Sequence, residues 1–407
     1  MGTLGALAGV ALPRGAHGQE TAQPAMRTLG RTGIQVTVIG IGTFRTTEPP
    51  VIRKAIESGV NFLDTARSYH GGNNEAYVGE ALRGLRDKVC VATKITIESK
   101  EKMAQAIDTS LSKLETDYVD IMLLHHLSSR GEVMNEDARD VLVKARQAGK
   151  VKHLGVSTHQ EEVEVLDAMI DDPDKLFDVA MVVYNFKSGE AVAQAIERAA
   201  KAGIGIVAMK TQAGGYETKE LGDISPHQAA LKWVLQNPNI ATTVPSMVDL
   251  AQIAEDTAVM RMDLKLTRAD KRVLEHYGLA IAPYYCLRCG ACEPTCPHGV
   301  DIPAINRCLM YAEGYRDMPN ARAAYAELRG FLADLPAEGR ALDTPLDDLA
   351  AFLRRAGEWG VPDDVLAGTA TRLERLRPQL DGAARQLHGD AHPGNLLATR
   401  SGFRWGD

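Results

Sequence analysis

The sequence predicts an α/β protein built on a (β/α)8 TIM barrel, and three observations carry that expectation. Between about residue 37 and residue 260, short runs rich in β-branched residues alternate with longer stretches of helical period. Eight such runs can be read, the number that closes a parallel barrel. The alternative is an open doubly wound sheet, which usually announces a G-x-G-x-x-G turn after its first strand. Gly40-Ile41-Gly42-Thr43-Phe44-Arg45 does not complete one.

The elements follow in order. Residues 27–36, with Gly30 and Gly33 as turn residues, read as a hairpin ahead of the barrel. Strands are expected at 37–43, 61–65, 89–94, 119–125, 153–157, 179–185, 204–210 and 240–245. Between them lie amphipathic segments, among them 103–114, 138–148, 163–170, 191–202 and 227–235, whose apolar residues recur at helical spacing. In such a barrel the chemistry gathers at the C-terminal ends of the strands. Reading those ends gives Asp64 after the second strand, Tyr69 in the next loop, Lys94 closing the third strand and His125 closing the fourth.

Each of these has an ordinary structural reading, as a helix cap, a solvated rim cation or a packed ring. All four types arriving on one rim point to proton transfer instead. A phenol, with a pKa near 10, is a poor acid at neutral pH unless its anion is stabilised. An ammonium such as Lys94 beside Tyr69 would do so, and Asp64 could hold that ammonium in place. His125 could hydrogen-bond a carbonyl oxygen, with His126 the runner-up for that part. Strand alternation cannot choose between the two histidines without knowing which face points inward.

Four cysteines stand at Cys286-x2-Cys289-x2-Cys292-x3-Cys296, followed by Pro297. This is the spacing of bacterial ferredoxins, in which thiolates on one tight loop converge on an iron–sulfur cube. Structural zinc more often takes two knuckles divided by a longer segment, so one unbroken run suits it poorly. Outside this run only Cys90 and Cys308 occur, too few for a disulfide framework in 407 residues.

The segments Asn61-Phe-Leu-Asp64-Thr-Ala-Arg-Ser-Tyr69, Val91-Ala-Thr-Lys94 and Asp120-Ile-Met-Leu-Leu-His125 resemble the three motifs of the aldo-keto reductases. The resemblance covers roughly residues 26–260. It implies hydride exchange between a nicotinamide, NADP or NAD, and a small carbonyl or alcohol substrate. It also implies Tyr69 as general acid/base, Lys94 and Asp64 as its tuning pair, and His125 as the substrate-orienting group. For the cofactor it implies Ser157 and Thr158 at the end of the fifth strand, Met209 under the nicotinamide, Gly214 at the phosphates, Ser246 in the last loop and Glu255, with Asp256, near the adenine. Several positions depart from the family pattern. Thr158 stands where Asn is common, Met181 where a Gln is usual, and Met209 where an aromatic ring often stacks. The loop 245–249 with Gln252 lacks a Lys or Arg to pair with a 2′-phosphate.

Residues 286–303 resemble the ferredoxin-like tail of one branch of these reductases. One 4Fe-4S cluster on Cys286, Cys289, Cys292 and Cys296 is implied, and with it an electron-transfer partner. His388-Gly-Asp390-Ala-His-Pro-Gly-Asn395, with Asp407, resembles the catalytic loop of aminoglycoside-type phosphotransferases. No lysine follows Lys271, so nothing there could anchor the phosphates of ATP.

The expected organisation is a leader or disordered tail at 1–24, the barrel at 25–281, a small helical iron–sulfur segment at 282–329, and a helical phosphotransferase-like fragment at 330–407. The formal net charge of −7 and the absence of a basic stripe argue against nucleic acid as a partner. No apolar run approaches the length of a membrane span. The apolar run 4–12, before Ala16-His17-Gly18, has no basic residue ahead of it. The chain as it stands reads as cytoplasmic. A truncated twin-arginine signal, with periplasmic export, is the alternative.

Overall fold

The computed structural model of the chain describes residues 23–214, 225–282, 285–286, 306, 310–311, 396–399 and 402–405. Two short antiparallel strands come first, β1 (Met26–Thr28) and β2 (Gln35–Thr37), with Met26 opposite Thr37. Eight parallel strands follow: β3 (Ile41–Gly42), β4 (Phe62–Asp64), β5 (Cys90–Ile95), β6 (Val119–Leu124), β7 (Val151–Thr158), β8 (Val179–Val183), β9 (Gly205–Met209) and β10 (Ile240–Thr243). They pair in chain order. A parallel bridge between Ile39 and Thr243 then joins the last strand to the first, supported by the Gly40 N–H on the Thr243 carbonyl at 2.7 Å. The barrel is therefore closed. Its first strand is shorter than the expected 37–43, because Thr37 pairs within the hairpin and residues 38–40 contribute only bridging bonds.

The helices are α1 (Pro49–Glu57), α2 (Asn74–Leu82), α3 (Lys100–Lys113), α4 (Arg130–Val133), α5 (Glu136–Gln147), α6 (Glu162–Asp171), α7 (Glu190–Lys201), α8 (Pro226–Leu235), α9 (Leu250–Ala258) and α10 (Arg268–Ile281). Local chemistry sets several of their starts. The side chains of Asn135, Ser225 and Asp249 each accept a hydrogen bond from the backbone N–H three residues on, and Thr267 and Asp270 form a reciprocal capping box. The five amphipathic segments singled out in the sequence correspond to α3, α5, α6, α7 and α8.

Side-chain alternation divides the apolar residues into two cores. Phe62, Ala92, Ile121, Leu123, Val179, Met181 and Val207 point into the barrel, where Leu29 and Val36 of the hairpin seal the N-terminal end. Leu63, Val91, Met122, Leu124, Val156 and Ile206 point outward onto the helices. Arg27 ties the hairpin to the barrel floor by donating to the carbonyls of Leu235, Asn237 and Ile240. A floor closed in this way leaves the C-terminal mouth as the open end.

Beyond the barrel, β11 (Leu396–Thr399) and β12 (Gly402–Trp405) pair antiparallel. The fragment expected to be helical thus contains a β-ribbon. Aromatic residues and a short polar connection favour a hairpin there. Cys289, Cys292, Cys296, Asp390, Asn395 and Asp407 lie outside the described residues. Among the described residues no helix is long and apolar enough to cross a membrane.

Candidate active site

Asp64 is the last residue of β4, Lys94 the last but one of β5, and His125 follows β6 directly. All three are buried. Their inward direction follows from the strand period. Phe62 and Asp64 share one face, as do Ala92 and Lys94, and the run Ile121, Leu123, His125 continues the inward set of β6. This register turns His125 inward at the end of β6.

Lys94 Nζ lies 2.6 and 2.7 Å from the two carboxylate oxygens of Asp64. It also donates to the Thr65 carbonyl at 2.8 Å and to Tyr69 Oη at 3.1 Å. The ammonium is therefore fully ligated inside the barrel. Burial works against its charge, but Asp64 first and Tyr69 second hold its pKa above the ordinary lysine value. The same burial pushes the Asp64 carboxyl up, with Lys94 opposing. The half-buried Tyr69 ring is braced edge-on by Phe44, at 4.8 Å between centroids, and by His125 at 5.8 Å.

Both ring nitrogens of His125 are shielded from solvent and have no hydrogen-bond partner among the described residues. Burial, then His126, then Lys94 drive its pKa well below the ordinary histidine value, so it stays neutral at physiological pH. A neutral imidazole beside Tyr69 can donate one N–H to an incoming oxygen.

A network the sequence reading did not single out supports the rim. The Asn74 side chain accepts from the Thr43 hydroxyl at 2.5 Å and from the Thr65 hydroxyl at 2.7 Å, and donates to the carbonyls of Thr43 and Thr46. The neighbouring buried Glu75 accepts from the Thr93 hydroxyl at 2.6 Å and pairs with Arg67 in the loop that carries Tyr69. An Asn-Glu pair opening α2 was the available signal, but its partners are distant in sequence.

The expected cofactor residues divide. Ser157 is buried at the mouth, its Oγ accepting from the His126 N–H at 3.2 Å and its own bond to the Leu124 carbonyl a long 3.4 Å. Thr158 spends its hydroxyl locally, donating to the Gln160 carbonyl and accepting from the Gln160 N–H. Met209 closes β9 and packs with Met181 in the barrel interior. Gly214 has φ 128°, and its carbonyl accepts from Tyr277 Oη at 3.3 Å. Ser246 is half-buried in the loop after β10. Glu255 contacts the Ser225 hydroxyl, and its neighbour Asp256 accepts from Gln212 at 2.7 Å. Those last contacts flank residues 215–224.

Two aromatic residues C-terminal to α10 also reach the mouth. Tyr285 Oη accepts from Asn185 Nδ2 at 2.7 Å, and Lys210 Nζ donates to Tyr311 Oη at 3.1 Å. Cys286 is half-buried beside them, its backbone N–H on Met310 Sδ at 3.3 Å.

Residues 39–222 match the aldo/keto reductase family model. Methylglyoxal reductase DkgB of Escherichia coli O157:H7 is 38% identical over 130 residues, covering 30% of this chain and 48% of its own length. The chain thus spans about half the length of the methylglyoxal reductases it matches. L-galactose dehydrogenase of Arabidopsis thaliana is 25% identical over 63% of this chain and 94% of its own. Among solved structures, an aldo-keto reductase from Bacillus halodurans superposes with a TM-score of 0.53 at 22% identity, covering 62% of this chain and 96% of that one. An aldo-keto reductase from Klebsiella pneumoniae in complex with NADPH gives 0.51 at 23%, over 62% and 95%. At that identity the structures attest the shared fold, and the aldo/keto reductase family model matches residues 39–222, under half of the chain.

Proposed function

We propose that the chain is a nicotinamide-dependent oxidoreductase that interconverts a carbonyl and an alcohol. The observation that supports this best is the buried Asp64–Lys94–Tyr69 relay, set at the open end of the barrel beside His125, whose ring nitrogens have no partner among the described residues. The surrounding residues fit a nicotinamide. Ser157 and Ser246 offer hydroxyls, Met181 and Met209 an apolar wall, and Gly214 a backbone free of side chain. Thr158 is left a local turn role. NADP is favoured by the NADPH in the Klebsiella relative, although the loop 245–249 brings no cation for a 2′-phosphate.

When bound, the nicotinamide supplies a hydride to the carbonyl carbon. Tyr69 Oη gives its proton to the oxygen of that carbonyl, so no free alkoxide accumulates. Lys94 stabilises the phenolate left behind, at a distance already set in the fold. Asp64 keeps the ammonium aimed there, and the neutral His125 donates a hydrogen bond that orients the oxygen. Oxidation of an alcohol runs the same steps backwards. NADPH and NADH oxidation against a panel of small aldehydes and ketones, methylglyoxal included, tests the reading. Deuterium placed at C4 of the nicotinamide should arrive on the carbinol carbon, and its absence from every product would reject hydride transfer.

Cys286, Cys289, Cys292 and Cys296 are assigned one 4Fe-4S cluster on the chemistry of four closely spaced thiols. Tyr285 and Tyr311, which contact Asn185 and Lys210, flank this run in the sequence. It would exchange single electrons with a partner protein. Residues 330–407 are read as a phosphotransferase-like fragment with no transfer activity of its own, since no lysine follows Lys271. ATP-dependent phosphorylation of an aminoglycoside by the full chain, lost in Asp390→Ala, would overturn that.

A further inference from the structure

Three imidazoles meet beside the relay. His126 and His159 join His125, and one ring nitrogen from each lies within 4.8 Å of the other two. His125 and His126 stack with ring centroids 3.7 Å apart, and His126 and His159 lie 4.5 Å apart. Consecutive strand residues normally point to opposite faces. Here they share one, because His126 takes φ 64°, a left-handed conformation that swings its ring over the mouth beside His125. Such backbone is held at a cost of about 1–3 kcal/mol and is concentrated at functional sites. Both nitrogens of His159, like both of His125, are shielded from solvent and have no partner among the described residues. Leaving buried imidazole nitrogens unmatched is itself unfavourable.

We propose that His125, His126 and His159 form a site for one divalent first-row transition-metal ion, Zn²⁺ being the best fit, and that the ion blocks the carbonyl position. Three imidazoles with open positions remaining suit zinc, cobalt, nickel or copper rather than magnesium or calcium. Ligands bound at about 2.0–2.1 Å stand closer together than these nitrogens do now. The exposed His126 ring must therefore tilt inward by about an ångström, which its position at the edge allows. Two ammonium groups nearby oppose a dication. Lys94 is neutralised by Asp64, whereas Lys210, which donates to Tyr311 Oη, has among the described residues only the nearby Glu162 to offset it. The site should therefore bind reversibly. Blocking follows because the His125 nitrogen taken by the metal is no longer available to the substrate oxygen, and this half of the inference rests on the function proposed above.

Cobalt titration of the full chain, followed by visible absorption, tests the site without turnover. The cysteine run will also take cobalt through sulfur, so the readout is the difference between the wild type and His159→Ala. One additional cobalt per chain, with the weaker nitrogen-type bands and no added thiolate charge-transfer intensity, is expected in the wild type alone. Its affinity should fall roughly 10–100-fold or more in His159→Ala and recover in part in His159→Asp, which restores an oxygen ligand. Zn²⁺ should inhibit competitively with the carbonyl and not with the nicotinamide, and His159→Ala should escape. Unchanged nicotinamide affinity certifies that the variants fold. Identical cobalt titrations of wild type and His159→Ala would overturn the site even if carbonyl reduction proceeds. A chain that binds the extra cobalt yet reduces nothing would overturn the function instead.

Discussion

Lys94 Nζ lies 3.1 Å from Tyr69 Oη and 2.7 Å from Asp64 Oδ2, so the ammonium bridges that phenol to the carboxylate. Removing the ammonium therefore has two separable effects. Lys94→Met should lower turnover by withdrawing the charge that stabilises phenolate. It should also strand a buried carboxylate, a loss on the order of 3–5 kcal/mol. The double variant Asp64→Asn, Lys94→Met should regain much of that stability in urea unfolding while turnover stays low. Recovery of turnover along with stability would mean that Lys94 serves only as a counter-ion.

Asp256 offers a pH test away from the relay. Burial first, and Glu255 second, push its carboxyl up to about 8 against an ordinary value of 3.8. The folded state thus holds a proton that the unfolded state has released between these limits. Its contribution to stability is fully present below the unfolded value and is lost as pH rises, by at most about 1.4 kcal/mol per pH unit. Asp256→Asn should be no more stable than wild type below about pH 4 and progressively more stable, relative to it, towards pH 8. Melting temperatures across that range check the sign.

Gly155 is needed for space rather than for backbone freedom. A Cβ there would stand 2.2 Å from the Val179 carbonyl oxygen and 2.6 Å from Leu123 Cδ2. Gly155→Ala must push β7 and β8 apart two residues below Ser157. Overpacking of this kind costs about 1–3 kcal/mol, so a lower melting temperature and weaker nicotinamide binding are expected together. An unaffected melting temperature would show that the strands yield freely.

Much of this was legible in the sequence because period-2 strands and period-3.6 helices alternate without interruption, and because Asp64, Lys94 and His125 all sit at strand ends. What was not legible depends on direction and distance. The inward direction of His125 needed the face of β6. The meeting of His126 with His159 needed the left-handed turn at His126, which no residue pattern announces. The local bonds between the Thr158 hydroxyl and the Gln160 backbone were likewise not legible. The hairpin and the first barrel strand form one apolar run in the sequence, and only the Ile39–Thr243 bridge shows where one stops. The ribbon at 396–405 escaped because the surrounding Leu, Ala and Arg content favours helix.

The cysteine run makes a prediction of its own. Protein prepared without oxygen should be brown and carry about four irons per chain. Cys289→Ser should bleach it. Carbonyl-dependent nicotinamide oxidation should survive the loss of colour, since the relay draws on none of the four cysteines. Stoichiometric zinc with no iron would replace the cluster with a structural site.

Tyr69→Phe puts the account most directly at risk. The substitution removes one oxygen and leaves the ring between Phe44 and His125 in place. Nicotinamide affinity, read by fluorescence quenching, should remain within a few-fold of wild type. Carbonyl-dependent oxidation of the reduced nicotinamide by that same preparation should fall roughly 10²–10⁴-fold, the scale of a lost general acid. A Tyr69→Phe enzyme that binds the nicotinamide and turns over at the wild-type rate would contradict the assignment of Tyr69 as the proton donor, and the relay built on it with it.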